Sequence, residues 1–140
     1  MSSASIVLLN QKSEIQRLSQ FVERFGEAHR LSTDETLDIN LILDEIVINI
    51  IVHGCDDARE HEIQVRLALD ADTLTIQVAD DGVPFNPVDA PPPDLDLPIE
   101  ERPIGGLGIH IVRSLVDTIE HRRDDGRNVL TMTKKMNRVV

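Results

Sequence analysis

The stretch that most restricts the fold of this chain is "STDETLDINLILDEIVINIIVHG", residues 32–54. Ser32 and Glu35 stand at capping-box spacing, where a hydroxyl accepts from a first-turn N–H and the carboxylate reaches back. A helix is therefore predicted to begin near residue 33 and to run to Gly54, a residue suited to a C-terminal cap. The Ile and Val content would also suit a strand, but about 20 residues is longer than ordinary strands. Within the helix Glu45, Asn49 and His53 recur at every fourth place. Four residues turn a helix by about 400°, so the three side chains form one slowly drifting stripe. Leu41, Ile42, Ile46, Ile48, Ile50 and Val52 surround it. A carboxylate or carboxamide left unpaired in such company costs on the order of 1–3 kcal/mol. The stripe must face solvent, pair internally or line a cavity.

The other elements follow from period. "SIVLLN" (5–10) reads as a strand, and Ile15, Leu18, Phe21, Val22 and Phe25 give residues 12–28 the spacing of an amphipathic helix. "EIQVRLALD" and "TLTIQVAD" alternate apolar and polar residues on either side of residues 70–72, which predicts a hairpin. "GLGIHIVRSLVD" returns to helical spacing through Ile109, Val112 and Val116. "TIEHRR" and "NVLTMTKK" predict a closing hairpin around "DDGR". This order predicts an α+β fold, a two-layer sandwich with helices on one face of a mixed, mostly antiparallel sheet. A length of 140 residues is expected to form one domain. The formal net charge of −11, without a basic stripe, argues against nucleic acid as a partner. The single cysteine, Cys55, excludes an internal disulfide and suits a reducing compartment. No stretch approaches the roughly 20 apolar residues of a membrane span, and no secretory signal is visible, so a cytoplasmic location is expected.

All seven prolines lie between Pro84 and Pro103. Proline fixes φ and removes a donor, so this segment is predicted to be neither helix nor strand. Loops of that length are usually lids, binding loops or disorder, although a surface insertion is the plainer alternative. Its flanks carry chemistry. On one side, Asp80 ends the apolar row of Leu74, Ile76 and Val78, and Gly82 follows where the chain must turn. A partly buried carboxylate needs a donor, and the amino group of an adenine would serve, although Asp-Asp-Gly is also a common turn. On the other side, Gly105, Gly106 and Gly108 open a helix and leave backbone N–H groups uncovered at its positive end, the usual basis of a phosphate site. A simple loop-to-helix joint would look the same. The G-x-G-x-x-G pattern fails at Ile111, and no Gly-Lys-Ser/Thr follows, so neither a dinucleotide fingerprint nor a P-loop is present.

With phosphates at the glycine loop, a Mg²⁺ held by the Asn49 carbonyl oxygen becomes chemically sensible, and Glu45 could take a proton from an attacking hydroxyl. A solvent-facing stripe is the alternative, and His53 next to Gly54 equally suits a helix-end cap. A zinc site of His53, Cys55 and His61 lacks a fourth ligand and paired C-x-x-C spacing. A Ser-His-Asp hydrolase has no G-x-S-x-G elbow here.

Taken in order, "DEIVINIIVHG", "VADDGVPF" and "GGLGIHIVRSLVD" resemble the N, G1 and G2 boxes of the GHKL ATPase superfamily, and most of all the small bacterial anti-sigma-factor serine kinases. The resemblance spans nearly the whole chain. It implies the Bergerat fold, with ATP and Mg²⁺ as cofactors. It implies that Glu45 is the catalytic base, that Asn49 binds Mg²⁺ and that Asp80 contacts the adenine amino group while Gly82 makes room for the ring. It implies that Gly106, Leu107 and Gly108 hold phosphates below a lid at 86–104, with Arg102 a lid contact on charge and placement. It further implies phosphorylation of a serine or threonine on a STAS-type antagonist, alternating with sequestration of a sigma factor, and a homodimer. A nucleotide-responsive binding module without phosphate transfer is the alternative. The final strand lacks the Gly-Thr pair of some members, and neither Thr131 nor Thr133 is assigned to its place.

Overall fold

The computed structural model describes residues 2–54, 59–84, 86 and 106–136, with the backbone alone at 106–108. Strand β1 (Ser2–Leu9) leads through a short 3₁₀ turn, Lys12–Glu14, into α1 (Ile15–Ala28) and α2 (Thr33–Asn49). α2 ends in a wider π-helical turn, Ile50–Gly54, so the helical path reaches the expected Gly54 but changes hand-hold on the way. β2 (Glu62–Asp70) and β3 (Thr73–Asp80) form a hairpin, followed by α3 (Gly106–Leu115) and the hairpin of β4 (Thr118–Asp124) and β5 (Arg127–Lys135).

The five strands lie in the order β1-β2-β3-β5-β4, and every pairing among them is antiparallel. Register builds the core in rows. Leu67, Ile76, Met132 and Ile119 lie side by side, as do Ile6, Val65, Val78, Leu130 and His121. The next row on the same face is Leu8, Ile63, Asp80, Asn128 and Arg123. That face therefore passes from wholly apolar to polar at one end, which is where a site can form. Along β2 the partners at Glu62, Gln64 and Arg66 are exposed while Ile63, Val65 and Leu67 are buried, so one face is solvated and the other packs under the helices.

The helices close that face with Leu18, Val22 and Phe25 from α1, Ile39, Ile42, Leu43, Ile46 and Val47 from α2, and Ile109 and Val112 from α3. The result is the expected two-layer α+β sandwich. β1 is an edge strand, and its far end is partly screened: the Leu9 N–H donates to Glu14 Oε1 at 3.0 Å, and Arg17 pairs with the same carboxylate at 2.9 Å. Those two bonds hold the Glu14 carboxyl below its ordinary value. Among the described residues no helix is long and apolar enough to cross a membrane.

The capping box expected at α2 is present in both directions. Glu35 N–H donates to Ser32 Oγ and Ser32 N–H donates to Glu35 Oε1, each at 3.1 Å. Ser32→Ala removes one of these bonds and should lower the unfolding free energy by about 1 kcal/mol. Urea titration should show a lower midpoint with an unchanged slope.

Candidate nucleotide site

The candidate site begins on α2. One face of that helix packs against the sheet and the other helices, and Glu45 and Asn49 lie along the edge of that face. Asn49 is 3% exposed and its Oδ1 has no hydrogen-bond partner; Glu45 is half-buried and its Oε1 is likewise buried and unpartnered. These are two of the three residues that the four-residue period singled out, and they remain adjacent, one turn apart. Burial pushes the Glu45 carboxyl above its ordinary value, offset in part by a hydrogen bond from the Asn49 side chain. His53, the third member of the stripe, is exposed within the π-helical turn.

Two unpartnered buried acceptors, one a neutral carbonyl oxygen and one a carboxylate oxygen, suit a hard cation or a donor hydroxyl. No group of three or more His, Cys, Asp or Glu side chains placed to hold a metal occurs among the described residues. A cation here would therefore rest on Asn49 and on ligand and water oxygens, as Mg²⁺ commonly does beside phosphates. The residues present fit that ion. Asp44, next to Glu45, was not singled out by the sequence reading. Its Oδ1 is also buried without a partner and burial raises its carboxyl above the ordinary range. The dipeptide "DE" was the visible signal, but only packing tells which of its two carboxylates is desolvated.

The second part of the site is the end of β3. Asp80 is 3% exposed, opposite Ile63 on β2 and Asn128 on β5. Its Oδ1 accepts from Gly82 N–H at 2.9 Å and from Asn128 Nδ2 at 3.2 Å. Both bonds fall on one oxygen, and Oδ2 has no partner among the described residues. The Gly82–Val83 turn is tied to the end of α2, because Val83 N–H donates to the Gly54 carbonyl at 3.0 Å. A Cβ on Gly82 would strike that same Gly54 oxygen. Close approach of the turn to α2 thus requires glycine here, quite apart from room for any ligand. From the opposite side Arg123 Nη1 donates to the Gly82 carbonyl at 2.9 Å and Asn128 Nδ2 to the Val83 carbonyl at 2.8 Å. Asp81 points away, exposed, and pairs with the buried His61 at 2.8 Å. That pairing engages His61 in the turn.

Asn128 and Arg123 are the residues the sequence reading missed. Thr131 and Thr133, the two it considered in the last strand, pair with Gln77 and Thr75, well up the sheet from Asp80. Only the register of β5 on β3 reveals that Asn128 is the neighbour. The third part of the site is the start of α3. The helix begins at Gly106, so the first-turn N–H groups of 106–108 carry its positive end. α3 packs on α2 through the buried Ile109 and Val112. Arg102 and nearly all of the 86–104 segment, as well as Cys55, lie outside the described residues.

Residues 9–134 match the family described as the Histidine kinase-like ATPase domain. The chain is 34% identical over 119 residues to the serine-protein kinase RsbW of Bacillus mycoides, covering 81% of this chain and 73% of that protein. The corresponding RsbW of Bacillus cereus gives the same identity and coverage. Among solved structures, the RsbU and RsbW domains of a Mycobacterium tuberculosis protein superpose with a TM-score of 0.69 at 18% identity, over 99% of this chain. A blue-light activated histidine kinase from Erythrobacter litoralis superposes with a TM-score of 0.55 at 20% identity, over 76% of this chain. The chain spans about a third of each of those solved chains, 34% and 32%, and these likenesses speak for the fold. With a family match across most of its length and RsbW relatives at this identity, the chain belongs to the histidine kinase-like ATPase family, on the branch of the RsbW serine-protein kinases.

Proposed function

We propose that this chain is an ATP-dependent protein-serine/threonine kinase of the anti-sigma-factor type. It transfers phosphate to a serine or threonine of a STAS-type antagonist in the cytoplasm, and in alternation sequesters a sigma factor or a similar regulator. The observation that carries this reading is the pair of buried, unpartnered oxygens on Glu45 and Asn49, one helical turn apart. A binding module with no transfer chemistry has no need of a desolvated carboxylate beside an unsatisfied carbonyl, and each costs stability.

In this reading Asp80 Oδ2 accepts from the amino group of adenine, in the turn that Gly82 lets close against Gly54. The N–H groups at Gly106, Leu107 and Gly108 face the phosphates. Asn49 would hold Mg²⁺, which supplies charge neutralisation to the phosphate oxygens. Glu45 orients the acceptor hydroxyl and takes its proton as the new oxygen–phosphorus bond forms; the bond from the γ-phosphorus to the bridging oxygen breaks, and ADP leaves. Burial raises the Glu45 carboxyl, which brings it nearer to the pH at which a base works best. A homodimer through the exposed β1 edge belongs to the same proposal.

Glu45 and Asn49 should fail differently. Glu45→Gln keeps size and leaves the other ligand contacts in place, so ATP affinity survives while single-turnover transfer to the antagonist falls by roughly 10²–10⁴-fold. Asn49→Ala weakens the magnesium-dependent part of ATP affinity, and transfer falls as a consequence. Wild-type transfer by Glu45→Gln would remove the base from the mechanism. A wild-type protein that binds its partners but transfers nothing would favour sequestration alone.

The same burial gives a stability signature. The folded-state value of Glu45 is raised above 4.5, so its contribution is most favourable below that value and is lost as pH rises through the raised one. Glu45→Gln should therefore raise the melting temperature of the nucleotide-free protein by a few degrees at about pH 7.5. The gain should shrink as pH falls toward 4.5. Thermal unfolding across that range checks it; a gain independent of pH would mean that the charge is not the cause.

A further inference from the structure

The side of a surface helix that faces away from the core ordinarily carries polar residues. On α2 it carries a row of aliphatic ones. Leu37 is 58% exposed, Leu41 47% and Val52 37%, and Ile48 between them is half-buried. Val52 lies in the π-helical turn that ends the helix. Spacings of four, seven and four residues keep all four on one side of the helical path, over about 20 Å.

The border of this row is acidic. Asp34, Glu35, Asp38, Asp44 and Glu45 are the charged side chains of α2, and its 17 residues include no Lys or Arg. Lys134 reaches Asp38 from β5 at 3.8 Å, but its shorter contact, 2.8 Å, is to the Leu115 carbonyl, so it offsets little of that charge. Glu45 stands midway along the row, between Leu41 and Ile48. A hydroxyl that gives its proton to Glu45 has to arrive there, and the molecule carrying it rests on the residues to either side. An exposed aliphatic row rimmed by charge is a mark of protein contact, and a small molecule would not span it.

We propose that the row of Leu37, Leu41, Ile48 and Val52 is the docking surface for the phosphoacceptor protein, which meets it with an apolar ridge flanked by Lys or Arg. This rests on the kinase reading, with Glu45 as the base. Apolar contact supplies affinity and the acidic border selects a basic rim, so that the acceptor hydroxyl is delivered at the centre of the row.

The test uses a recombinant STAS-domain protein that wild type phosphorylates from labelled ATP. Transfer kinetics are compared for wild type, Leu37→Ser, Leu41→Ser, Leu41→Glu and Leu41→Lys. Calorimetry gives the Mg-ATP affinity of each, and light scattering the mass of each kinase alone. Leu37→Ser and Leu41→Ser should each raise KM for the acceptor by about tenfold, the scale of a central interface contact, with kcat and Mg-ATP affinity unchanged. Leu41→Lys should raise KM further than Leu41→Glu, because only the lysine opposes a basic rim. A wild-type KM in all four variants overturns the docking surface, and equal effects of Lys and Glu overturn the basic rim. Weakened Mg-ATP binding at unchanged KM would give the row to this chain's own 86–104 segment. A changed mass of the kinase alone would give it to a second copy, and either result overturns the proposal. If wild type phosphorylates no such protein, the kinase reading itself fails, and the docking surface falls with it.

Discussion

The burial of α2 between the sheet and its neighbouring helices is the term on which the rest depends. Ile39, Ile42, Leu43, Ile46 and Val47 are all fully buried, and at roughly 1.5–3 kcal/mol for each such side chain they form a large share of the core. Because that packing locks one face of α2 against the sheet and its neighbours, the positions of Glu45 and Asn49 along that face are fixed with it. Their oxygens are drawn into a region where water reaches them poorly, and stability is lost there that a ligand can restore. The price of a poised site is therefore set by the same contacts that hold the fold.

The wider turn at Ile50–Gly54 links the two halves of the site. It ends with the Gly54 carbonyl accepting from Val83, which ties the β3 turn to the helix that carries Asn49. Gly82 is needed for that approach, since any side chain would meet the same carbonyl. On the far side Arg123 and Asn128 bind the Gly82 and Val83 carbonyls. The turn is thus gripped from a helix end and from the β4–β5 hairpin. The grip holds the turn that follows Asp80, whose Oδ1 accepts from Gly82 N–H and Asn128 Nδ2.

The chain's elements were legible because their periods are clean. The capping box fixed the start of α2, the alternation in "EIQVRLALD" gave β2, and the length of the apolar run separated helix from strand. The sheet proved antiparallel at every pairing among the described strands, where the sequence reading expected a mixed, mostly antiparallel one, because pairing partners are not written in any single strand's alternation. Asp44 lay in plain view beside Glu45, yet its desolvation comes from burial in the folded chain, which no local pattern shows.

What the sequence determined by itself was local: the stripe of Glu45 and Asn49, the carboxylate of Asp80 at the end of an apolar row, and the glycines at 82 and 106. Each follows from spacing along one element, and spacing is a property of the chain. What only the tertiary structure decided was who stands opposite. Asn128 is 48 residues from Asp80 and faces it through a strand register that no local pattern encodes. Gly54 meets the Gly82 turn for the same reason. Local periodicity can place a polar group at the margin of a core; only the packing of separate elements decides which of its oxygens is satisfied and which is left for a ligand.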